Sequence, residues 1–159
     1  MRIIGIDPGT GRLGFGVIDY RDDGKVQLVD GGVITTPANS EEASRLVTIS
    51  SELEEIIKTH KPHVMAVEKL FFMRNVTTAM SVSQARGVVL LLGKQNGLDI
   101  FEYTPLQIKQ SVTGYGKADK KQVQEMVKVI LKLKSIPEPD DCADALACAI
   151  AHSMTARFA

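Results

Sequence analysis

The 159-residue chain has only two cysteines, only three histidines and no net charge, with nineteen basic side chains against nineteen acidic ones. Cys142 and Cys148 lie six residues apart in one predicted helix. They point in different directions and cannot bridge each other, so the expectation is two small buried thiols. No zinc site of closely spaced Cys and His can be drawn either. No window approaches the roughly 20 apolar residues of a membrane span, and the first residues lack the apolar run and cleavage site of a secretory signal. The expectation is a cytoplasmic protein without membrane contact. Repeats, low-complexity tracts and internal boundaries are missing too, and the length suits a single domain over residues 1–159.

Zero net charge argues against a nucleic-acid protein until its distribution is followed along the chain. From Asp19 to Glu55 there are nine acids against three bases, whereas Lys109 to Lys134 carries seven lysines against Asp119 and Glu125. The basic stretch can bind phosphates whatever the total charge, or it can be a solvated helix face.

What the sequence has is a distinctive beginning, MRIIGIDPGTGRLGFGV. Ile3, Ile4 and Ile6 predict a short buried strand that ends in Asp7. Pro8-Gly9-Thr10-Gly11 turns the chain back into an antiparallel strand from about Leu13 to Tyr20. Asp22-Asp23-Gly24 predicts a hairpin turn, and Lys25 to Thr35 a third strand. The chain thus opens with a meander instead of the strand-helix alternation of a dinucleotide-binding fold. A helix from Ser40 to about Thr59 follows, then a short central strand from His63 to Glu68 that also ends in a carboxylate. Lys69 to Thr78 reads as a loop and Ala79 to Gln95 as a helix broken at Gly93 to Gly97, apolar all round through Val88 to Leu92, which must be covered on two sides. Asp99 to Thr104 completes a five-stranded set. A short helix from Thr104 to Val112, a basic helix from Asp119 to Leu133 and a last helix from Asp140 to Ala156 close the chain.

Strands covered by helices place their ends along one sheet edge, which groups Asp7 with Glu68. In DDCADALA, Asp141 and Asp144 are three apart and share a helix side. Asp140 and Asp144 meet the same condition, but Asp140 follows Pro139 and is the better N-cap candidate, which favours Asp141. Four carboxylates in one place repel unless cations are present. Hard oxygen donors suit Mg²⁺, with Mn²⁺ able to substitute. Two such ions about 4 Å apart would activate a water and stabilise the leaving oxygen of a phosphodiester. Each acid alone can be a cap or a surface charge, Asp7 an Asx-type cap among them. The combination points to a metal site, with the glycine turn at Gly9 and Thr10 as the clearance for a substrate phosphate.

GIDPGTGRLGFGV, VEKLFF, QARG, Thr104-Pro105 with Lys109-Gln110, and DDCADALACAIAH together resemble the RuvC family of bacterial Holliday-junction resolvases, in order and over nearly the whole chain. The resemblance implies an α/β, RNase H-like fold: a five-stranded mixed sheet, made of a three-stranded antiparallel meander plus parallel strands, flanked by helices. It implies a crossover junction endodeoxyribonuclease that acts in recombination and repair by paired symmetric nicks, as a homodimer, on four-way junction DNA beside the branch-migration complex RuvA-RuvB. The metal-binding acids fall on Asp7, Glu68, Asp141 and Asp144. Lys109 and Lys120 match lysines at the scissile phosphate, although Lys117 and Lys121 are close enough to confuse the second match. Phe71 matches an aromatic that stacks on a base at the crossover, with burial in the core as the competing reading. A two-fold junction calls for a two-fold protein. The helix Ala79 to Gln95 is the candidate interface, unless the last helix covers it within one chain. His152, eleven residues beyond Asp141, lies about 16 Å further along the helix and is read as a packing residue or as one that supports a site residue without binding the metal. The rival readings are a fragment of an actin-like ATPase or sugar kinase, whose opening strand, aspartate and glycine turn are similar, and a non-catalytic junction-binding paralogue.

Overall fold

In the computed structural model residues 1–69 and 75–156 are described. Five strands, β1 (Arg2–Asp7), β2 (Arg12–Tyr20), β3 (Val26–Thr35), β4 (Val64–Glu68) and β5 (Asp99–Tyr103), form one sheet in the order β3-β2-β1-β4-β5. The first three pair antiparallel, and β4 and β5 add in parallel with β1. The expected meander plus parallel strands is therefore the observed sheet. Among the described residues five helices flank it: α1 (Glu42–His60), α2 (Val76–Gln95), α3 (Pro105–Thr113), α4 (Lys120–Ile130) and α5 (Asp140–Ala156).

Strand side chains alternate between two cores. Ile4, Ile6, Val17 and Met65 enter the core beneath α1 and α2. Ile3, Ile18, Val64 and Ala66 enter the one beneath α3, α4 and α5. The same alternation puts Asp7, in phase with Ile3 and Gly5, and Glu68, in phase with Val64 and Ala66, on the α5 side.

Glycine on that side lets α5 lie unusually close. A Cβ on Gly5 would stand 2.0 Å from the Ala145 carbonyl oxygen, and one on Gly14 2.0 Å from that of Asp141. A Cβ on Gly16 would stand 2.5 Å from the Leu146 side chain. The small residues of α5, from Ala143 to Ala151, are buried against this hollow.

Three boundaries differ from the sequence reading. α2 begins at Val76 and not Ala79, because the Asn75 side chain accepts hydrogen bonds from the Thr77 and Thr78 amides and caps a start that β-branched residues disguise. It then runs unbroken through Gly93, where a Cβ would stand 2.9 Å from Ile100. α4 ends at Ile130 and not Leu133, since Lys132 takes a left-handed conformation (φ 55°). α5 opens on the Pro139 carbonyl, which accepts from the Cys142 amide at 2.9 Å, so Asp140 is its first residue and not its cap.

With those extra residues α2 also reaches the length and mean hydropathy (20 residues, 1.2) at which a helix could cross a membrane by composition, which the sequence reading did not anticipate. Ala85, Val89, Leu92 and Gly93 are buried, whereas Val76, Met80 and Leu91 are exposed. α5 lies on the opposite sheet face and does not cover them.

Candidate active site

Asp7 and Glu68 end adjacent parallel strands, one residue beyond the last β1–β4 pair, Ile6 with Val67. The N-terminal turn of α5, seated on Gly14, brings Asp141 and Asp144 over the same place. A cleft of ≈ 220 Å³ beside them is lined by Glu68, Asp144, Lys109, Lys120, Pro105, Ile108, Val123 and Ala147. Thr104 and Asp119 cap α3 and α4 with reciprocal capping boxes, which fix where Lys109 and Lys120 leave their helices.

Electrostatics ties the acids together. The Asp7 carboxyl is pushed up to about 9, first by burial, then by the charges of Glu68 and Asp144, a hydrogen bond to Glu68, and Asp141. Burial also raises Glu68, opposed by its hydrogen bond with Asp7 and by the nearby Lys120 and Lys109. Asp144 is raised by burial and held back by Lys120. Without cations, burial and the neighbouring carboxylates favour the protonated form of Asp7.

The remaining charges are met by protein cations. Lys120 Nζ stands 3.5 Å from Asp144 and 3.2 Å from Asp140, and Arg12 Nε stands 3.6 Å from Asp141. Among the described residues no three carboxylates are already drawn into a cage. The donor set nevertheless fits a divalent cation: all oxygen, half-buried and mutually repelling, so a cation entering it would relieve the repulsion and take the place of the proton on Asp7.

Asp140 is separate from this group. Its exposed carboxylate accepts from Gln124 at 3.2 Å and pairs with Lys120, which holds it below the usual carboxylate range. Lys120 is the lysine of the 117–121 stretch that reaches the acids; Lys117 is exposed, and Lys121 lines a different hollow with Tyr115 and Met126. Thr10 is buried, its hydroxyl bonded to Ser81. Gly9 is packed against the chain reversal, where a Cβ would stand 2.3 Å from the Arg12 carbonyl oxygen. That turn therefore offers a phosphate its backbone and not the Thr10 hydroxyl. Phe71 lies outside the described residues. His152 packs as expected, with Nδ1 2.7 Å from the Tyr103 hydroxyl and its ring 4.6 Å from that of Phe101. Burial pushes the Cys142 thiol up to about 11, which keeps it protonated and inert.

Sequence reasoning missed four contributors. Gly5 and Gly14 set the depth of α5, Arg12 meets Asp141, and Arg86 donates to the Glu68 carbonyl. The glycine spacing GxxxxxxxxGxG was a readable signal, because glycines of one strand phase leave a groove; the two arginines lie inside the motifs GIDPGTGRLGFGV and QARG, but no spacing pointed to their partners.

The comparisons with known proteins agree. A profile of the family described as Crossover junction endodeoxyribonuclease RuvC matches residues 3–152. A Crossover junction endodeoxyribonuclease RuvC of Roseiflexus sp. is 53% identical over 155 residues, covering 98% of this chain and 92% of that one. That of Heliobacterium modesticaldum is 54% identical over 157 residues, covering 98% and 96%. Thermus thermophilus RuvC in complex with a Holliday junction substrate superposes with a TM-score of 0.95 at 37% identity, covering 99% of this chain and 96% of the other.

Proposed function

The chain belongs to the RuvC family of crossover junction endodeoxyribonucleases, and from that premise we propose that it resolves four-way DNA junctions by hydrolysing one phosphodiester on each of two opposed strands, in the cytoplasm, during recombination and repair. Nucleases of this family are metal-dependent. Asp7, Glu68, Asp141 and Asp144 would hold the cations, Mg²⁺ by preference and two in number, given four oxygen donors and no nitrogen or sulfur ligand. The cations supply activation of the attacking water and charge neutralisation at the phosphate.

The rest falls to protein groups. Lys109 and Lys120, both lining the cleft, meet the charge that grows on the phosphate oxygens as the bond to the leaving sugar oxygen breaks. To act on substrate, Lys120 would exchange its pairing with Asp144 for the phosphate. Lys117 and Lys121 continue the positive surface along the backbone of the same DNA arm, and the turn at Gly9 and Thr10 gives the phosphate room to approach. Phe71 is proposed to stack on a base unpaired at the crossover. The partners are junction DNA, a second copy of the chain and the RuvA-RuvB branch-migration complex. For the second copy the support is the exposed stripe Val76, Met80, Gly87 and Leu91 along α2, whose Gly87 Cα faces open space and lets another helix approach closely.

The observation that carries this reading is the convergence of two strand-end acids, Asp7 and Glu68, with the first turn of α5, beside a cleft lined by Glu68, Asp144, Lys109 and Lys120. An ATPase or kinase fragment has no call on α5, and a non-catalytic paralogue has no need of all four acids. A synthetic mobile four-way junction incubated with protein and Mg²⁺ tests it. Paired nicks are expected, lost in Asp7→Asn with junction binding kept; equal cutting of linear duplex would indicate a general nuclease instead.

A further inference from the structure

The β1–β4 ladder stops at Ile6 and Val67, so no strand pairing fixes Asp7 against Glu68. Each is tied only to its outer neighbour, Asp7 to Gly14 of β2 and Glu68 to Tyr103 of β5. With no backbone pairing between the two strand ends, their spacing depends on what holds each end from outside the ladder.

α2 reaches both ends. Ser81 hydrogen-bonds the buried Thr10 hydroxyl, three residues past Asp7, and donates to Glu42 Oε1 at 2.9 Å. Thr10 is held further by Thr36, whose hydroxyl donates to the Thr10 carbonyl and accepts from Arg45 Nε at 2.9 Å. Five residues along α2, Arg86 Nη1 donates to the Glu68 backbone carbonyl at 3.2 Å, while Nη2 binds the Glu102 carboxylate of β5. One rigid helical segment, about 7.5 Å long, is thus fastened to the two chain ends that carry the acids of the sheet.

We propose that Ser81 and Arg86 are positioning residues that set the spacing of Asp7 and Glu68, so that α2 acts as the strut across the open end of the β1–β4 ladder. The inference rests on the reading that Asp7 and Glu68 share a cation. Neither side chain points its polar group at the substrate cleft; both act through backbone or through a neighbouring hydroxyl. Because α2 also bears the exposed apolar stripe, a second copy docking there would bear on the same strut.

Mn²⁺ titration of the DNA-free protein, followed by calorimetry, tests this without recourse to cutting. Ser81→Ala and Arg86→Lys should each bind Mn²⁺ about tenfold more weakly, and Ser81→Thr, which keeps the hydroxyl, should bind as the parent does. On four-way junctions both weakened variants should show reduced kcat with unchanged KM. Unchanged Mn²⁺ affinity in both, even with a lowered melting temperature, would overturn the inference and leave them as ordinary packing residues. Asp7→Asn distinguishes the two levels: if it binds Mn²⁺ as the parent does, the shared-cation reading falls and the strut with it.

Discussion

Asp7 sits where folding alone would not put an acid, at the end of a buried strand and against two other carboxylates. Because its folded pKa, about 9, lies above its unfolded value near 4, the metal-free fold keeps a proton that the unfolded chain releases. The stability linked to that proton is complete below about pH 4 and is lost as the pH rises through about 9. Metal-free Asp7→Asn is therefore expected to be more stable than the parent at pH 8, by about 2 kcal/mol. Its melting temperature should be higher by roughly 4–8 °C, with a flatter pH dependence; a parent whose metal-free melting temperature rises between pH 5 and 8 would contradict this. The same scale separates the neighbours in the DD pair. Asp141→Asn should lower junction cutting by at least about 100-fold. Asp140→Asn, which loses only an exposed pair with Lys120 and Gln124, should stay within a few fold. Initial rates on one junction substrate decide it.

At the scale of elements, the site is built by fitting α5 into a groove of glycines. Gly14→Ala would drive a methyl into the Asp141 carbonyl, which no rotamer change can relieve. The expected cost is about 3 kcal/mol, or a melting temperature lower by roughly 6–12 °C, with cutting lost because Asp141 and Asp144 move with the helix. Gly87→Ala, where a Cβ meets no atom of its own chain, should leave the fold of a single protomer intact and act only on pairing through α2. The opening meander, the strand ends at Asp7 and Glu68 and the i, i+3 acids of α5 were legible because each rests on local pattern: β-branched runs, turn residues and helical spacing; the mixed sheet as a whole came only with the family resemblance. The start of α2 was not, since Val76-Thr77-Thr78 has low helix propensity and only the Asn75 cap turns it. Nor was Asp140's place, because Pro139 rather than Asp140 supplies the opening carbonyl. Arg86 and Ser81 were invisible for a different reason: their partners are 16 to 71 residues away in sequence, and no spacing rule spans such distances.

Across the whole molecule the charge is arranged in halves, with lysines of α3 and α4 lining one side of the acids and the acidic stretch of residues 19–55 elsewhere. Bound cations would turn the site itself from repelling to attracting DNA, so junction binding should weaken steeply with added salt. Two-fold pairing through α2 is expected to fail in Leu91→Glu, which places a charge in the exposed stripe without entering the core. Light scattering should then report a monomer that still folds and melts as the parent monomer would, and a dimer of unchanged mass would move the interface elsewhere. The most direct measurement uses a supercoiled plasmid that extrudes a cruciform. With Mg²⁺ the parent protein should convert it straight to linear DNA, the product of two opposed nicks made within one binding event, and Asp7→Asn should bind the cruciform and leave it intact. Accumulation of singly nicked circles by the parent, or linear product from Asp7→Asn, would contradict a paired nuclease whose metals are held by these four acids.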